Sequence, residues 1–258
     1  MLIEIKNLSF SYNHKPILHN ISVEINEGEQ WAIIGKNGAG KSTLIKCLAG
    51  LEKTTSGSIF LANNKIESYT PKDIAKLISY VPQVSGRNLP FTVFDYVMMG
   101  RFPYQGFMAI PTALDKKIVI ESMQLTDTEE FALRKMNTLS GGELQRVFLA
   151  GAVAQKTPIM LLDEPTSFLD PFHQQLIIKT LEKIHQEFHT TIIAVTHDIS
   201  SVIERYTNVL GLKGGKVLFS GKLLKESIET TEIYKQIFDV EFEFVESISG
   251  RKVILQKQ

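Results

Sequence analysis

The sequence predicts an α/β fold: a core on a mostly parallel sheet, an N-terminal antiparallel β subdomain, and an inserted helical subdomain. Three observations predict it. Gly35-Lys36-Asn37-Gly38-Ala39-Gly40-Lys41-Ser42-Thr43 has G-x-x-x-x-G-K-S/T spacing and lies between an apolar run, 30–34, and a helical stretch, 42–51. Two later runs, 158–164 and 190–196, have the near-continuous apolar character of strands buried on both faces of a parallel sheet. Residues 84–138 are patterned mostly as helix, with few strands, which marks an insertion in an α/β core.

The elements follow in order. Residues 2–10 and 17–26 read as short strands joined near Asn13-His14-Lys15-Pro16, with Tyr12 at the end of the first. The strand 30–34 leads into the glycine-rich loop, and Gly50 closes the helix after it. Residues 57–62 return as a strand, 72–78 as a helix, and 77–83 as a strand ending at Gln83. Thr92 followed by Asp95 resembles a capping box opening a helix to Met99, which Gly100-Arg101-Phe102-Pro103-Tyr104 breaks. A second helix spans 113–124, with Leu114, Ile118, Val119 and Met123 at helical spacing, and a shorter one spans 131–136. Leu139-Ser140-Gly141-Gly142-Glu143 opens a helix through Gln155. After the apolar strands come a hairpin around Gly214-Gly215 and a helix near 227–237. A last hairpin, 241–246 with 252–256, turns at Ser249-Gly250.

Composition bounds the partners. The chain has 258 residues, 43% hydrophobic, enough for one large domain or one with a subdomain. Its 28 basic and 28 acidic residues balance, and without a basic block nucleic acid is not expected as the main partner. Cys47 is the only cysteine, which fits a reducing compartment. Residues 1–6 alternate as a strand does rather than as a signal peptide, and no apolar run approaches the ~20 residues that span a bilayer. A membrane role therefore has to come through a partner. The six histidines are scattered, with no ligand-like cluster.

The chemistry is carried by five stretches or residues. In the loop 35–43 the glycines let backbone N–H groups curl round phosphates, Lys41 reaches the β- and γ-phosphates, and the Ser42 hydroxyl suits Mg²⁺. This is a phosphate-loop NTPase core. Asp163 and Glu164 end a buried strand, where α/β sheets place ligands, and a buried acid pair calls for a cation. Asp163 then fits the metal side and Glu164 the base that polarises the attacking water. Ser140, Gly141 and Gly142 at a helix start are either an anion site or an ordinary N-cap with Glu143 at the third position. His197, after the third buried run, is either structural or within reach of the γ-phosphate. Tyr12 either packs in the hairpin or stacks on a base.

The order of these motifs — phosphate loop, Gln83, 139–143, 159–164, His197 — resembles the ATP-binding cassette of ABC transporters over essentially the whole chain. The resemblance implies a catalytic core at 1–84 and 156–240, a helical signature subdomain at 85–155 and a C-terminal β extension at 241–258. It implies that Tyr12 stacks on adenine. It implies that Gln83 contacts Mg²⁺ or the attacking water, and that His197 is a switch near the γ-phosphate. Gly35, Asn37, Gly38, Ala39, Gly40, Lys41, Ser42 and Thr43 would cradle one ATP, and Ser140, Gly141 and Gly142 would close over the ATP of a second copy. Ser167-Phe168-Leu169-Asp170 matches the loop that crosses between copies. The implied protein is an ATP-dependent homodimer. It drives two transmembrane permease subunits, and indirectly a substrate-binding protein, from the cytoplasmic membrane face. Residues 91–104 and the strand-rich C-terminus resemble importers of iron-siderophores, haem or cobalamin. Zinc, manganese and molybdate cassettes are the alternative, and a soluble ATPase acting on ribosome or DNA a further one. Lys36, Glu143 and Phe168 depart from the commonest pattern, at positions where Pro, Gln and a small residue are usual.

Overall fold

The computed structural model describes residues 1–83, 89–106, 110–223, 227–246 and 252–257. They fall into two compact units, Met1–Ile66 with Ile193–Gln258, and Glu67–Ile192.

The chain opens with β1 (Ile3–Tyr12) and β2 (Lys15–Ile25), an antiparallel pair turned by Asn13 and His14, both at positive φ. Ile3 and Ile5 of β1 and Ile21, Val23 and Ile25 of β2 are buried at every second position, the period that puts one face of a strand on a core. Next come β3 (Gln30–Gly35), buried from Trp31 onward, α1 (Lys41–Leu48), β4 (Ser56–Leu61) and the short β5 (Asn64–Lys65). α2 (Pro71–Leu77) starts on a Thr70 cap with proline at its first position, and β6 (Ile78–Val81) follows without a break.

The helices α3 (Val93–Met99), α4 (Ala113–Leu125) and α5 (Gly141–Ala154) each begin at a hydroxyl cap: Thr92, Thr112 and Ser140 accept from the backbone N–H three residues on. Then β7 (Ile159–Asp163), α6 (Pro171–Phe188), β8 (Thr191–Val195), α7 (Ile199–Arg205), β9 (Asn208–Lys213) and β10 (Lys216–Gly221) alternate. α8 (Ile228–Phe238), β11 (Phe242–Glu246) and β12 (Lys252–Gln256) complete the described chain.

In the first unit, one sheet is antiparallel in the order β2-β1-β4-β5. β3 pairs in parallel with β9, register Gly35 to Leu212, and β9 in turn with antiparallel β10. Ala32, Ile34, Val202, Val209, Tyr234, Ile237 and Ile254 form a buried core there, so α8 and β12 belong to that core. In the second unit, β6 and β7 pair in parallel, Ile78 to Ile159. The helices α3 and α5 meet where both lack bulk: a Cβ on Gly100 would lie 2.4 Å from the Gly151 carbonyl oxygen. Arg101 then turns inward. Its Nε donates to Asp115 Oδ1 at 3.0 Å, its Nη1 to the Ala154 carbonyl at 2.7 Å, and its guanidinium stacks 4.1 Å from the Tyr104 ring centre.

The fold is α/β with a mostly parallel mixed sheet, as expected. Two local expectations fail. No α-helix forms at 131–136: Val93 N–H goes to the Arg134 carbonyl at 3.0 Å and Met136 N–H to the Phe91 carbonyl at 3.1 Å, so this backbone bonds across to 91–93. Only 3₁₀ turns flank it, Glu129–Phe131 and Met136–Thr138. β6 ends at Val81, leaving Gln83 beyond the strand because Pro82 has no N–H for the ladder. Two helices, α6 and α7, come in addition to those expected, although Asp170-Pro171 is an N-cap followed by a first-turn proline and Ile177, Leu181 and Ile184 give α6 its buried stripe. The expected turn at Ser249-Gly250 lies outside the described residues.

Candidate functional site

The predicted residues gather in two sets, one in each compact unit. In the first, β3 delivers the phosphate loop and α1 leaves it. Gly35 abuts β9 so closely that a Cβ there would sit 2.3 Å from the Leu212 carbonyl oxygen. Gly40 has φ +96 and a Cβ there would strike Leu18 at 2.6 Å. Gly38, at φ +79, faces open space, and a Cβ there would meet nothing within 4 Å. The loop is therefore closed on one side and open on the other.

Gly40 caps α1 with no side chain, so no side chain of the cap occupies the first-turn N–H groups of the helix. Lys41 is only 5% exposed, and its ammonium donates to the carbonyls of Gly35 at 2.8 Å and Lys36 at 3.0 Å. Its charge is held against two carbonyl oxygens of the loop itself. Asn37, Ala39, Ser42 and Thr43 complete the loop and the first turn, and the Ala39 N–H closes a turn on the Lys36 carbonyl at 3.1 Å. A helix start with no capping side chain, an enclosed ammonium and a glycine facing open space fit a polyphosphate.

Two further predicted residues share this unit. β8 ends beside β3, with Thr196 N–H donating to the Ile33 carbonyl at 3.3 Å. The exposed His197 follows, in a turn that the Thr196 hydroxyl holds by accepting from Asp198 N–H at 3.1 Å. Tyr12 is 41% exposed. Its ring stands edge-on to Phe10 at 4.6 Å, and its hydroxyl donates to Glu52 Oε1 at 2.6 Å. That bond to a carboxylate pushes the Tyr12 hydroxyl up to about 12.

The second set is built on β7, whose five residues are all buried. Asp163, 4% exposed, accepts from the Tyr80 hydroxyl at 3.4 Å. Burial first, and then the Asp163 charge, raise the Tyr80 hydroxyl far above its usual range, so it stays a donor. Glu164 turns the chain at φ +53, a conformation that costs a non-glycine residue about 1–2 kcal/mol. The turn aims its carboxylate: Gln83 Nε2 donates to Oε2 at 2.8 Å and Ser167 Oγ to the same oxygen at 2.9 Å.

At the start of α5 both descriptions of Ser140 hold at once. It is a full capping box, with Glu143 N–H donating to Ser140 Oγ at 3.3 Å and Ser140 N–H to Glu143 Oε2 at 2.6 Å. Burial opposes ionisation of Glu143, but the Ser140 amide and hydroxyl and Arg134 outweigh it and hold the carboxyl below its usual range. Gly141 faces open space, while a Cβ on Gly142 would meet the His173 ring at 2.4 Å. His173 is pinned by Asp170, Nδ1 to Oδ2 at 2.6 Å. The His173 backbone N–H, and then its ring, hold the Asp170 carboxyl below its usual range. Sequence reasoning missed His173. The proline-started helix it opens was its only signal. Phe168, at φ +62, is 94% exposed.

Among the described residues, no three His, Cys, Asp or Glu side chains gather as a metal cage. Asp163 and Gln83 in the second unit, and Ser42 in the first, each offer an oxygen of the kind Mg²⁺ takes.

Comparison with known proteins gives the family. The family described as ABC transporter matches residues 18–167. The petrobactin import ATP-binding protein FpuC of Bacillus anthracis is 34% identical over 240 residues, covering 93% of this chain and 88% of that protein. The iron(3+)-hydroxamate import ATP-binding protein FhuC of Bacillus subtilis (strain 168) is 34% identical over 240 residues, again covering 93% and 88%. Among solved structures, the ATP-binding cassette MJ0796, a dimer in a post-hydrolysis state bound to ADP and Pi, matches with TM-score 0.76 at 31% identity, covering 86% of this chain and 99% of that one. With its phosphate loop, its buried strand ending in two acids and its capped signature helix, this chain belongs to the ABC transporter family, as an ATP-binding cassette.

Proposed function

We propose that this chain hydrolyses ATP to drive import of an iron-siderophore or a related metal chelate through two partner permease subunits. The contact between Gln83 and Glu164 carries the catalytic part of the reading. It presents a carboxylate already aimed, on a strained residue, at the end of the buried strand that holds Asp163. The import part rests on relatives named for petrobactin and iron(3+)-hydroxamate import.

In this reading the amides from Gly38 to Thr43 donate to the phosphate oxygens and Lys41 sets its charge against the β- and γ-phosphates. Ser42, Gln83 and Asp163 would hold Mg²⁺, which when bound would supply positive charge to the phosphates. Glu164 takes a proton from water as its oxygen bonds to the γ-phosphorus and the bond to the β-phosphate oxygen breaks, giving ADP and phosphate. His197 donates to the γ-phosphate, and Tyr12 stacks on adenine. Ser140, Gly141 and Gly142 of a second copy complete the site, so two ATP molecules hold a homodimer together and hydrolysis releases it.

Residues 85–155 act as the helical signature subdomain and 241–258 as an extension of the core. No helix of the described residues is long and apolar enough to cross a membrane. In the proposed reading, which rests on the import ATP-binding relatives, the cassette sits at the cytoplasmic face of the membrane against its permeases, with a substrate-binding protein supplying cargo on the far side. The test is uptake of radiolabelled ferric siderophore into proteoliposomes that hold the cassette and its permease pair. ATP-dependent uptake of the chelate is expected. ATP hydrolysis that ignores both the permeases and the chelate overturns the import reading.

A further inference from the structure

Lys36 is the residue of the phosphate loop that departs from the common pattern, and its side chain has a destination. Its Nζ donates to Asp239 Oδ2 at 2.9 Å. Lys213 Nζ donates to the other oxygen of the same carboxylate, Oδ1, at 2.5 Å, and to the Gln236 carbonyl at 2.8 Å. One aspartate thus joins the second residue of the phosphate loop to the last residue of β9.

Asp239 is out of place by the rules of its own helix. It is the C-cap of α8, at φ +58, with its N–H on the Lys235 carbonyl at 2.8 Å. Gly or Asn is the usual residue in that left-handed conformation, and the negative end of the helix dipole disfavours a carboxylate. The two lysines supply what the helix does not: Lys213 and then Lys36 hold the Asp239 carboxyl below its usual range.

The contact leads to the interior of the loop. The Lys36 carbonyl accepts from the Lys41 ammonium at 3.0 Å and from the Ala39 N–H at 3.1 Å. The preceding residue, Gly35, is pressed against Leu212, the neighbour of Lys213. The Lys36 peptide is therefore held by β9 on one side and by Asp239 through its side chain.

We propose that Asp239 is a positioning residue for the phosphate loop: through Lys36 it fixes the peptide that orients Lys41, and so sets the affinity for the triphosphate of ATP. The inference rests on reading 35–43 as the ATP phosphate site. It gives the segment after α8 a second task besides packing, since Asp239 sits where the chain leaves the helix toward β11.

The experiment titrates a fluorescent ATP analogue and measures KM and kcat for ATP on the full chain, as wild type, Asp239→Asn, Lys36→Met, Lys36→Arg and the double variant Lys36→Met/Asp239→Asn. Simple charge effects and positioning predict opposite signs for Asp239→Asn. Removing a negative charge beside the loop should tighten ATP binding, whereas losing the positioning contact weakens it. We expect Asp239→Asn to raise KM and the analogue Kd about three-fold, the scale of an exposed charged contact, with kcat within about two-fold. A partly unfolded sample would lower kcat and leave KM alone. Lys36→Arg, which keeps the pair, should hold KM near wild type, and the double variant should bind no worse than Lys36→Met. Tighter binding or unchanged KM in Asp239→Asn, or additive losses in the double variant, overturns the proposal. A wild type that does not bind the analogue overturns the ATP reading of the loop instead.

Discussion

Gln83 and Glu164 meet side chain to side chain, Nε2 to Oε2 at 2.8 Å, although 81 positions separate them in the chain. Gln83 follows the end of β6 and Glu164 the end of β7, and these two strands are parallel neighbours. Strands that run the same way bring their C-terminal ends together, which is why residues from distant segments share one site. Ser167 adds a second donor to the same carboxylate oxygen at 2.9 Å. Both donors hold the Glu164 carboxylate in one orientation. Glu164→Gln keeps the size of the side chain and removes the basic oxygen. We expect ATP binding to persist and turnover to fall by at least about 100-fold, the lower range for a general base. Phosphate release measures turnover, and size-exclusion chromatography with ATP should show a trapped dimer. Turnover near that of wild type would show that Glu164 is not the base.

Ser140 gives a separate prediction, because it is exposed and its capping bonds are local. In Ser140→Arg a long cation replaces a small hydroxyl at the start of α5. The substitution changes no residue of the phosphate loop, so binding of an ATP analogue to the isolated chain should stay within about two-fold of wild type. If the proposed shared site holds, hydrolysis should fall by at least about ten-fold, since the variant then presents the wrong group to the ATP of the second copy. Loss of the N-cap costs about 1 kcal/mol, so a modest drop in Tm is expected as well. Full hydrolysis in Ser140→Arg would mean that each copy completes its own site.

Much of this was legible in the chain, for physical reasons. The phosphate loop shows because positive φ favours glycine and because Leu212 and Leu18 crowd the backbone at Gly35 and Gly40 too closely for a Cβ. The buried strand before Asp163 shows because burial on both faces admits only apolar residues. His173 did not show. Its importance comes from lying against Gly142, a contact between α5 and α6 that no local pattern announces. The failure at 131–136 has the same origin, since the Met136 amide goes to the carbonyl of Phe91 and the Arg134 carbonyl serves Val93. Local patterning records what a segment can do alone; such contacts decide otherwise.

The contact of His173 with Gly142 is itself testable. The imidazole is held by Asp170 at 2.6 Å, so it cannot swing away without losing that bond. A methyl at Gly142 would lie 2.4 Å from the ring. Gly142→Ala should therefore cost about 1–3 kcal/mol of stability as an overpacked contact, despite the helix propensity of alanine. Removing the ring should restore room. His173→Ala in the Gly142→Ala background is expected to recover most of the loss in urea-unfolding midpoint, a non-additive pair. Equal midpoints for Gly142→Ala and wild type would show that the ring yields freely.

Arg101 and Asp115 set the last prediction, and here pH decides. Both side chains are buried, and the pair ties the turn after α3 to the first turn of α4 at 3.0 Å. The Thr112 hydroxyl, then the Thr112 N–H, then Arg101 hold the Asp115 carboxyl below its usual range. A carboxyl with a lowered native value contributes its full stability above the unfolded value, about 3.9, and loses it as pH falls through the native value. Replacing Arg101 by Met leaves a buried carboxylate without its cation, which at neutral pH should cost about 3–5 kcal/mol. Without the cation, protonation becomes the way to relieve that carboxylate, so its native value in the variant rises. Because the Thr112 hydroxyl and N–H still act on that carboxyl, the variant loses less stability on acidification than the wild type does. The gap between them in urea-unfolding free energy should be widest at neutral pH and narrow steadily below about pH 5. Asp115→Asn cannot titrate at this position. Its gap to wild type should close only below about pH 4, where the wild-type carboxylate itself takes up a proton. A gap for Arg101→Met that stays constant with pH would show that packing of the guanidinium on Tyr104, rather than its charge beside Asp115, is what holds the turn.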